Sequence, residues 1–308
     1  MKFYFCLLLV FSLVCSSKLL SQCGCPGNST NIGLANINEL YDKNEITGNN
    51  FFVNLIYKYT YANNYFYHDI NIGDGPIKDL TSNFLNLRIS YKTAKKYIFE
   101  TSLGYLIDRK QVENLGGKTF NSSGLSDWTL FARYILLKNL NANVEFSLGT
   151  GIKIPLSKGS EWIPQNIQPS TGAYAILLNF FFKKYYPEIN SGLIIGNRTD
   201  YNFRNYWDYK YGFSSITSFV FLNNISSFLN LGIELRNDYR DKDYDGDEII
   251  NESGMYALAL NPVVRLLTGN FIFAAFYSFP VYQYYNGRQI ANKYSVGINI
   301  SFNTNIGG

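Results

Sequence analysis

The sequence predicts an all-β protein, a transmembrane antiparallel up-and-down β-barrel of about 12 strands. Three observations predict it: an exported N-terminus, apolar residues at every second position, and connections that are alternately long and short. Of the 308 residues, 46% are hydrophobic and 16% are charged, which excludes a disordered chain. The net charge of +4 gives no reason to expect a nucleic acid as partner.

Residues 1–22 have the form of a secretory signal peptide. A positively charged start is followed by an apolar core over residues 3–15 and a more polar end. Cleavage near Ser21 leaves only Cys23 and Cys25, too few for a disulfide framework. Lipid attachment at Cys23 and a soft-metal site at the two thiols are alternatives for these residues.

The alternation of apolar and polar residues has the period of a β-strand rather than of a helix. Near 142–155, for example, Val144, Phe146 and Leu148 share one parity, and Glu145 and Lys153 the other. Twelve segments have this pattern: 50–61, 82–91, 97–107, 125–136, 142–155, 171–182, 188–196, 211–222, 227–236, 254–266, 271–282 and 294–302. A tilted strand of about ten residues crosses the apolar layer of a membrane.

The connections between these segments also indicate a membrane barrel. Long connections are predicted at 62–81, 108–124, 156–170, 197–210, 237–253 and 283–293, and short ones at 92–96, 137–141, 183–187, 223–226 and 267–270. Outer-membrane barrels place short turns in the periplasm and long loops outside. We therefore expect a Gram-negative outer-membrane location with both chain ends in the periplasm. A secreted all-β sandwich is the alternative.

The last predicted strand has a pattern that bears on assembly. Ser295, Gly297, Ile300 and Phe302 resemble the C-terminal signal by which outer-membrane barrels are recognised, although six residues follow the phenylalanine. The resemblance implies the barrel-assembly machinery as a partner, together with outer-membrane lipid.

Motifs over residues 120–302 resemble a family of outer-membrane barrels named for the MetA pathway of phenol degradation and often described as transporters. Gly124–Asp127 resembles its Gly–x–Gly–Asp strand start, with serine for the second glycine, and Gly149–Pro155 resembles its Gly–x–Lys–x–Pro strand end. Gln168–Gly172 resembles its Gln–Pro–Gly–Thr–Gly element, again with one glycine lost. Ser253-Gly254, Asn261-Pro262 and the segment 280–290 are similar to its C-terminal third.

The resemblance implies a barrel of about twelve strands, related in architecture to the long-chain fatty-acid channels, in which an N-terminal segment plugs the lumen. By this analogy residues 23–48 form a periplasmic N-terminal extension or a short plug. The barrel itself is predicted over 49–302, and 303–308 are predicted to be a C-terminal tail.

Charged residues on the parity opposite to the apolar side are the candidates for lining the lumen. They are Lys58, Arg88, Glu100, Arg133, Glu145, Lys153, Glu234, Arg236 and Arg265. Mixed charges of this kind either pair as internal scaffolding or form a polar path for solutes. Neither sign dominates, so strong ion selectivity is not indicated.

One loop contains the spacing of a calcium site. Asp241, Asp243, Asp245 and Asp247 follow the D-x-D-x-D-G pattern, in which alternate carboxylates converge on a hard cation. The competing interpretation is a solvated acidic loop, because Glu248 stands where an apolar residue is expected and no helices flank it. No other cofactor is predicted.

The sequence favours a channel over an enzyme. His68 is the only histidine, lies in a predicted loop and is followed by no His–x–Ser pattern, so no catalytic residues are predicted. We expect passive passage of small hydrophobic or amphipathic solutes through a monomer. The alternative is a structural or adhesive surface barrel that acts through its extracellular loops.

Overall fold

The computed structural model describes residues 49–93, 96–160 and 162–306. The signal segment, the extension at 23–48 with its two cysteines, and residues 307–308 lie outside the described residues. Within them the strands are β1 Asn49–His68, β2 Ile70–Gly73, β3 Ile77–Lys92, β4 Tyr97–Glu113, β5 Thr119–Asn139, β6 Val144–Ile154, β7 Ala175–Tyr186, β8 Ser191–Asn202, β9 Tyr209–Lys210, β10 Ser214–Asn224, β11 Leu229–Arg240, β12 Tyr244–Asp245, β13 Glu248–Ile249, β14 Met255–Thr268 and β15 Phe271–Ile306.

In the part of the chain that the structure describes, helical structure is confined to short turns. Two single-turn 3-10 helices span Gln165–Ile167 and Pro187–Ile189. Among the described residues, no helix is long and apolar enough to cross a membrane.

Antiparallel pairing of sequence neighbours builds one closed wall. The order is β1, β3, β4, β5, β6, β7, β8, β10, β11, β14 and β15, and β15 pairs back onto β1. The short β2 bonds to β1 outside this ring. The predicted closed, all-β architecture is confirmed, and closure leaves no unpaired edge in the wall.

β15 contributes two neighbouring passes to the wall. It pairs with β14 over Phe271–Tyr285 and with β1 over Tyr285–Ile306, and both ladders are antiparallel. Because chain direction alternates around the wall, β15 must reverse between these halves. It does so at Gly287, whose φ of +73° is a conformation that glycine adopts without strain. Ten single-pass strands and the two halves of β15 give the predicted twelve passes.

The wall is polar inside and apolar outside. Along β6, Leu148 and Ile152 are 45% and 48% exposed, whereas the alternate residues Glu145, Ser147 and Lys153 are buried. A water-soluble protein has the opposite distribution, since exposed apolar rows of this size require a lipid solvent.

The strands extend further than predicted at one end of the barrel. β1 runs to His68, β4 to Glu113, and β15 reverses within two residues, so much of the predicted connections 62–81, 108–124 and 283–293 is strand. At the other end, residues 303–306 continue β15 and pair with β1 instead of forming a tail. The short connections that follow β3, β5, β7, β10 and β14 form this second end, which we call the turn rim.

The opposite end, which we call the loop rim, contains three long connections. They are 155–174 between β6 and β7, 203–213 between β8 and β10, and 241–254 between β11 and β14. These three loops lie over the lumen and define the candidate site.

Candidate functional site

The inward charges near the turn rim form two ion-paired groups. Glu100 pairs with Arg88 and lies 3.9 Å from Arg133. Glu145 lies 3.6 Å from Lys92 and 3.3 Å from Lys183. Because both carboxylate side chains are buried, the neighbouring cations offset the cost of removing each of them from water.

Three more of the predicted residues have polar partners inside the lumen. Asn261 donates to Glu234 at 2.8 Å, and Arg236 pairs with Asp238 at 2.7 Å. Lys153 donates to Asn202 at 2.6 Å. All nine predicted lumen residues occupy inward positions; seven of them, Arg88, Arg133, Glu145, Lys153, Glu234, Arg236 and Arg265, are buried.

An apolar cluster fills one side of the lumen near the turn rim. Its members are Phe181, Ile194, Val220, Leu222, Val263 and Phe276, all with exposed fractions below one tenth. The Arg133 guanidinium lies 5.2 Å from the centre of the Phe181 ring, so the charged and apolar groups meet there. Side chains therefore occupy much of the interior, as expected for a narrow barrel.

The loops 203–213 and 241–254 join at the loop rim. β9, β12 and β13 form a three-stranded sheet across them. Arg204 adds ion pairs to Asp208 at 2.8 Å and to Asp247 at 2.7 Å, but these groups are exposed and contribute little. The two loops form a single layer, which we call the cap.

Asp243 is the centre of the cap. Its carboxylate is fully buried and accepts hydrogen bonds from Tyr209 Oη at 2.5 Å, Gly212 N at 2.8 Å and Arg240 at 2.9 Å. Burial, followed by the proximity of Asp243, raises the pKa of the Tyr209 hydroxyl far above its usual range. Three donors around one buried carboxylate make this contact structural.

The four aspartates considered as calcium ligands are not gathered around one point. Asp243 faces its protein donors, Asp247 pairs with Arg204, and Asp241 and Asp245 are exposed. In the described part of the chain, no three acidic, histidine or cysteine side chains are grouped to hold a metal ion.

The loop 155–174, of which residue 161 is not described, is tethered to the wall at Asp127. This carboxylate accepts from Ser170 Oγ at 2.6 Å, Thr171 N at 3.1 Å and Thr171 Oγ1 at 3.0 Å. Lys153 lies 3.9 Å away. Two of the motifs that resemble the barrel family, Gly124–Asp127 and Gln168–Gly172, therefore meet directly, and Lys153 of the third lies beside them.

Beyond the tether, this loop reaches across the lumen. Ile167 is fully buried in an apolar cluster on the opposite side of the lumen, where β1, β3 and β15 contribute the other residues. The cluster consists of Ala62, Tyr65, Ile77, Leu80, Ile167 and Ile290, with Phe120 and Ile163 packed against it. Arg109 donates to Asn166 O at 3.0 Å, and Asn166 donates to Gln111 at 2.8 Å. The loop 155–174 therefore crosses the lumen beneath the cap, and we call it the bar.

The bar and the cap are also joined to each other. Tyr211 Oη donates to Gln165 at 3.2 Å, and Trp207 Nε1 donates to Lys158 O at 3.0 Å. Asn205 donates to Thr171 O at 3.4 Å. The loop rim is therefore covered by two layers of chain that are hydrogen-bonded to each other.

Sequence reasoning missed the residues that hold the bar. Arg109 lies in a segment predicted as a loop, and Asp127 is identified in the sequence only as part of a motif that resembles the barrel family. The family-like motifs are the signal that could have found Asp127, because Ser170 and Thr171 belong to one and Asp127 to another.

The histidine that was considered for catalysis lies at the loop rim. Its Nδ1 atom is 2.7 Å from Tyr284 Oη.

The fold is similar to solved outer-membrane channels. An outer membrane channel from Pseudomonas putida F1 is 11% identical, with a TM-score of 0.68, over 83% of this chain and 96% of that one. The NanC porin is 12% identical, with a TM-score of 0.47, over 81% and 98% of the two chains. The KdgM porin is 10% identical, with a TM-score of 0.45, over 81% and 99%.

No family model matches the sequence, and a search of the curated proteins finds no match. The polar interior, the apolar exterior and the closed wall are those of an outer-membrane β-barrel. The protein is located in the outer membrane.

Proposed function

We propose that the protein is a channel for the passive passage of small hydrophobic or amphipathic molecules across the outer membrane. The observation that carries the proposal is the apolar cluster around Ile167, which lines the loop-rim end of the lumen. When the bar is displaced, Tyr65, Leu80 and Phe120 become available to an apolar solute. Transfer of such a solute from water to this wall is favourable.

The rest of the lumen supports a hydrated path. Thr129, Ser147 and Ser218 have buried hydroxyl oxygens for which the described residues provide no hydrogen-bond partner. Buried polar atoms of this kind are normally satisfied by water. The nine predicted charges are proposed to line this path. The ion pairs formed by Arg88, Glu100, Arg133, Glu145, Lys153 and Arg236 keep the field on a passing solute small there.

The resemblance to the MetA-pathway family supports the same function, because its motifs here hold the bar against the wall. Membership of that family is part of the proposal. So are a monomeric, non-enzymatic barrel, passive transport, and contacts with lipid and the barrel-assembly machinery.

A structural or adhesive role is the second candidate. Exposed aromatic side chains favour it: Trp162 in the bar loop is 87% exposed and Tyr206 in the cap is 67% exposed. Exposed aromatic residues of this type are enriched at binding surfaces. In this case the lumen would stay closed and the cap would be the working surface.

Purified protein in liposomes and planar bilayers tests the proposal. Replacing residues 158–168 by a short Gly-Ser linker removes the bar but keeps the tether at Ser170 and Thr171. We expect higher conductance and faster uptake of small aromatic solutes than in the wild type, with empty vesicles as background. A linker replacing residues 245–248 of the cap is the matched control and should have a smaller effect. If neither the wild type nor the bar-deleted barrel passes ions or solutes, the surface-barrel function stands.

A further inference from the structure

Two cations share a small cavity directly beneath the bar. A cavity of about 30 Å³ is lined by Lys58 and Arg109 together with Thr60, Ser82 and Asn292. A second cavity of about 40 Å³ adjoins Lys58 on its other side. Lys58 therefore lies between two small spaces inside the lumen, each lined by both polar and apolar groups.

Neither cation has a carboxylate partner among the described residues. Arg109 donates Nε–H to Ser82 Oγ at 3.2 Å and one further N–H to Asn166 O at 3.0 Å. Three of its five N–H groups remain available. No ion pair or hydrogen bond is formed by the Lys58 ammonium within the described chain.

The nearby acidic groups are engaged elsewhere. Asp238, which lines the second cavity, pairs with Arg236 at 2.7 Å, and Glu234 accepts from Asn261 at 2.8 Å. The charged residues that line the two cavities are Lys58, Arg109, Arg236 and Asp238, which together carry a charge of +2. Two like charges that face one small space in a low dielectric repel each other, and an anion between them removes that cost.

The cavity has the size and surroundings for one carboxylate. About 30 Å³ holds two water-sized oxygens, given that one water needs roughly 10–15 Å³. Ala62 and Leu80 line the cavity and also belong to the apolar cluster around Ile167. A bound carboxylate would therefore have its oxygens between the cations and its carbon substituent against an apolar wall.

We propose that Lys58 and Arg109 form an anion site that selects small amphipathic monocarboxylates as solutes of the channel. The inference rests on the proposed function and specifies its substrate class. Arg109 offers its free N–H groups to one carboxylate oxygen, and Lys58 binds the other as a point charge. The apolar part of the solute occupies the cluster that the bar covers.

Binding to the detergent-solubilised protein tests the site without requiring transport. Isothermal titration is carried out at neutral pH and low ionic strength with benzoate, with benzamide as a neutral isostere, and with acetate as a head group without a ring. We expect saturable 1:1 binding of benzoate, and binding of benzamide and of acetate weaker by about tenfold or more.

The variants Lys58→Gln and Arg109→Gln should each weaken benzoate binding by about tenfold or more, and Lys58→Arg should retain it. Lys110→Gln is the matched control, because Lys110 is exposed on the outer face next to Arg109. The heat-modifiable mobility of the folded barrel in gels verifies that each variant is folded. Where one glutamine variant does not fold, the other glutamine variant and Lys58→Arg decide the outcome.

The inference is overturned if benzoate and benzamide bind equally, if benzoate does not bind, or if Lys58→Gln and Lys110→Gln bind it equally. These outcomes leave the channel proposal intact as long as the bar-deleted barrel conducts. Conversely, if benzoate binds in a charge-dependent way but the barrel does not conduct, the anion site stands and the channel proposal fails.

Discussion

Removal of the Asp127 carboxylate should release the bar while the wall stays folded. Asp127 accepts three hydrogen bonds from Ser170 and Thr171, and its side chain is almost completely buried. Hydrogen bonds to charged groups contribute about 1.5–3 kcal/mol each, and neighbouring bonds are not additive. We expect Asp127→Ala to lower the free energy of bar opening by about 3–5 kcal/mol.

Amide hydrogen exchange measures this opening directly. A change of about 3–5 kcal/mol raises the exchange rates of protected amides in the bar by about two to four orders of magnitude. Asp127→Asn keeps one acceptor oxygen and should produce a smaller increase. Asp69→Ala, an exposed carboxylate at the loop rim, is the control and should leave the bar unchanged.

Two results would refute this reasoning. Unchanged exchange in Asp127→Ala would mean that the tether does not hold the bar. An equal increase in β1 and β6 would mean that the carboxylate stabilises the whole barrel rather than the loop.

Three further predictions concern the cap and the orientation of the barrel. Asp243→Ala should accelerate protease cleavage within 241–254 with or without calcium, and Asp245→Ala should not. Protection of the wild-type loop by calcium would instead support a calcium site in this loop. Because burial and Asp243 raise the pKa of Tyr209, the stability it contributes is present below about pH 10, the unfolded value, and is lost at higher pH. Protease resistance of the cap should therefore fall as pH rises above that value in the wild type, and this alkaline loss should be weaker in Tyr209→Phe. In whole cells lacking the native cysteines, Leu115→Cys and Asp245→Cys should be labelled by an impermeant reagent and Asn139→Cys protected; the reverse pattern would invert the topology.

The sequence allowed the wall to be predicted because its alternation has a period of two over most strands. Leu148 and Ile152 on one parity, with Glu145 and Lys153 on the other, already distinguish the lipid face from the lumen face. The number of passes followed from the same pattern and is confirmed by the closed ring.

The strand ends at the loop rim were not predictable, because bulges change the parity there. The pairing of β1 with β15 shifts at Tyr61–Ala62 and again at Ala62–Asn64, and that of β4 with β5 shifts between Leu106 and Arg109. Each shift moves the following residues to the other face. Arg109 consequently points inward, although the alternation along β4 would place it outside.

The bar was not predictable for a different reason. The contacts that hold it join residues far apart in the chain, as with Ser170 and Asp127 or Asn166 and Arg109. No local pattern specifies whether a loop folds over the lumen or into solvent, since this depends on pairs of residues that only the closed barrel brings together.

The central claim is that the bar controls access to the lumen, and a reversible crosslink tests it most directly. Asp127→Cys with Ser170→Cys, in a background with Cys23 and Cys25 replaced by serine, places two thiols where the tether now lies. Flux of small aromatic solutes into liposomes is measured before and after reduction of one preparation, with the cysteine-free barrel as control. We predict low flux when the pair is oxidised, higher flux after reduction, and no response to reductant in the control. Equal flux in the oxidised and reduced states, with oxidation verified by thiol titration, would contradict the account.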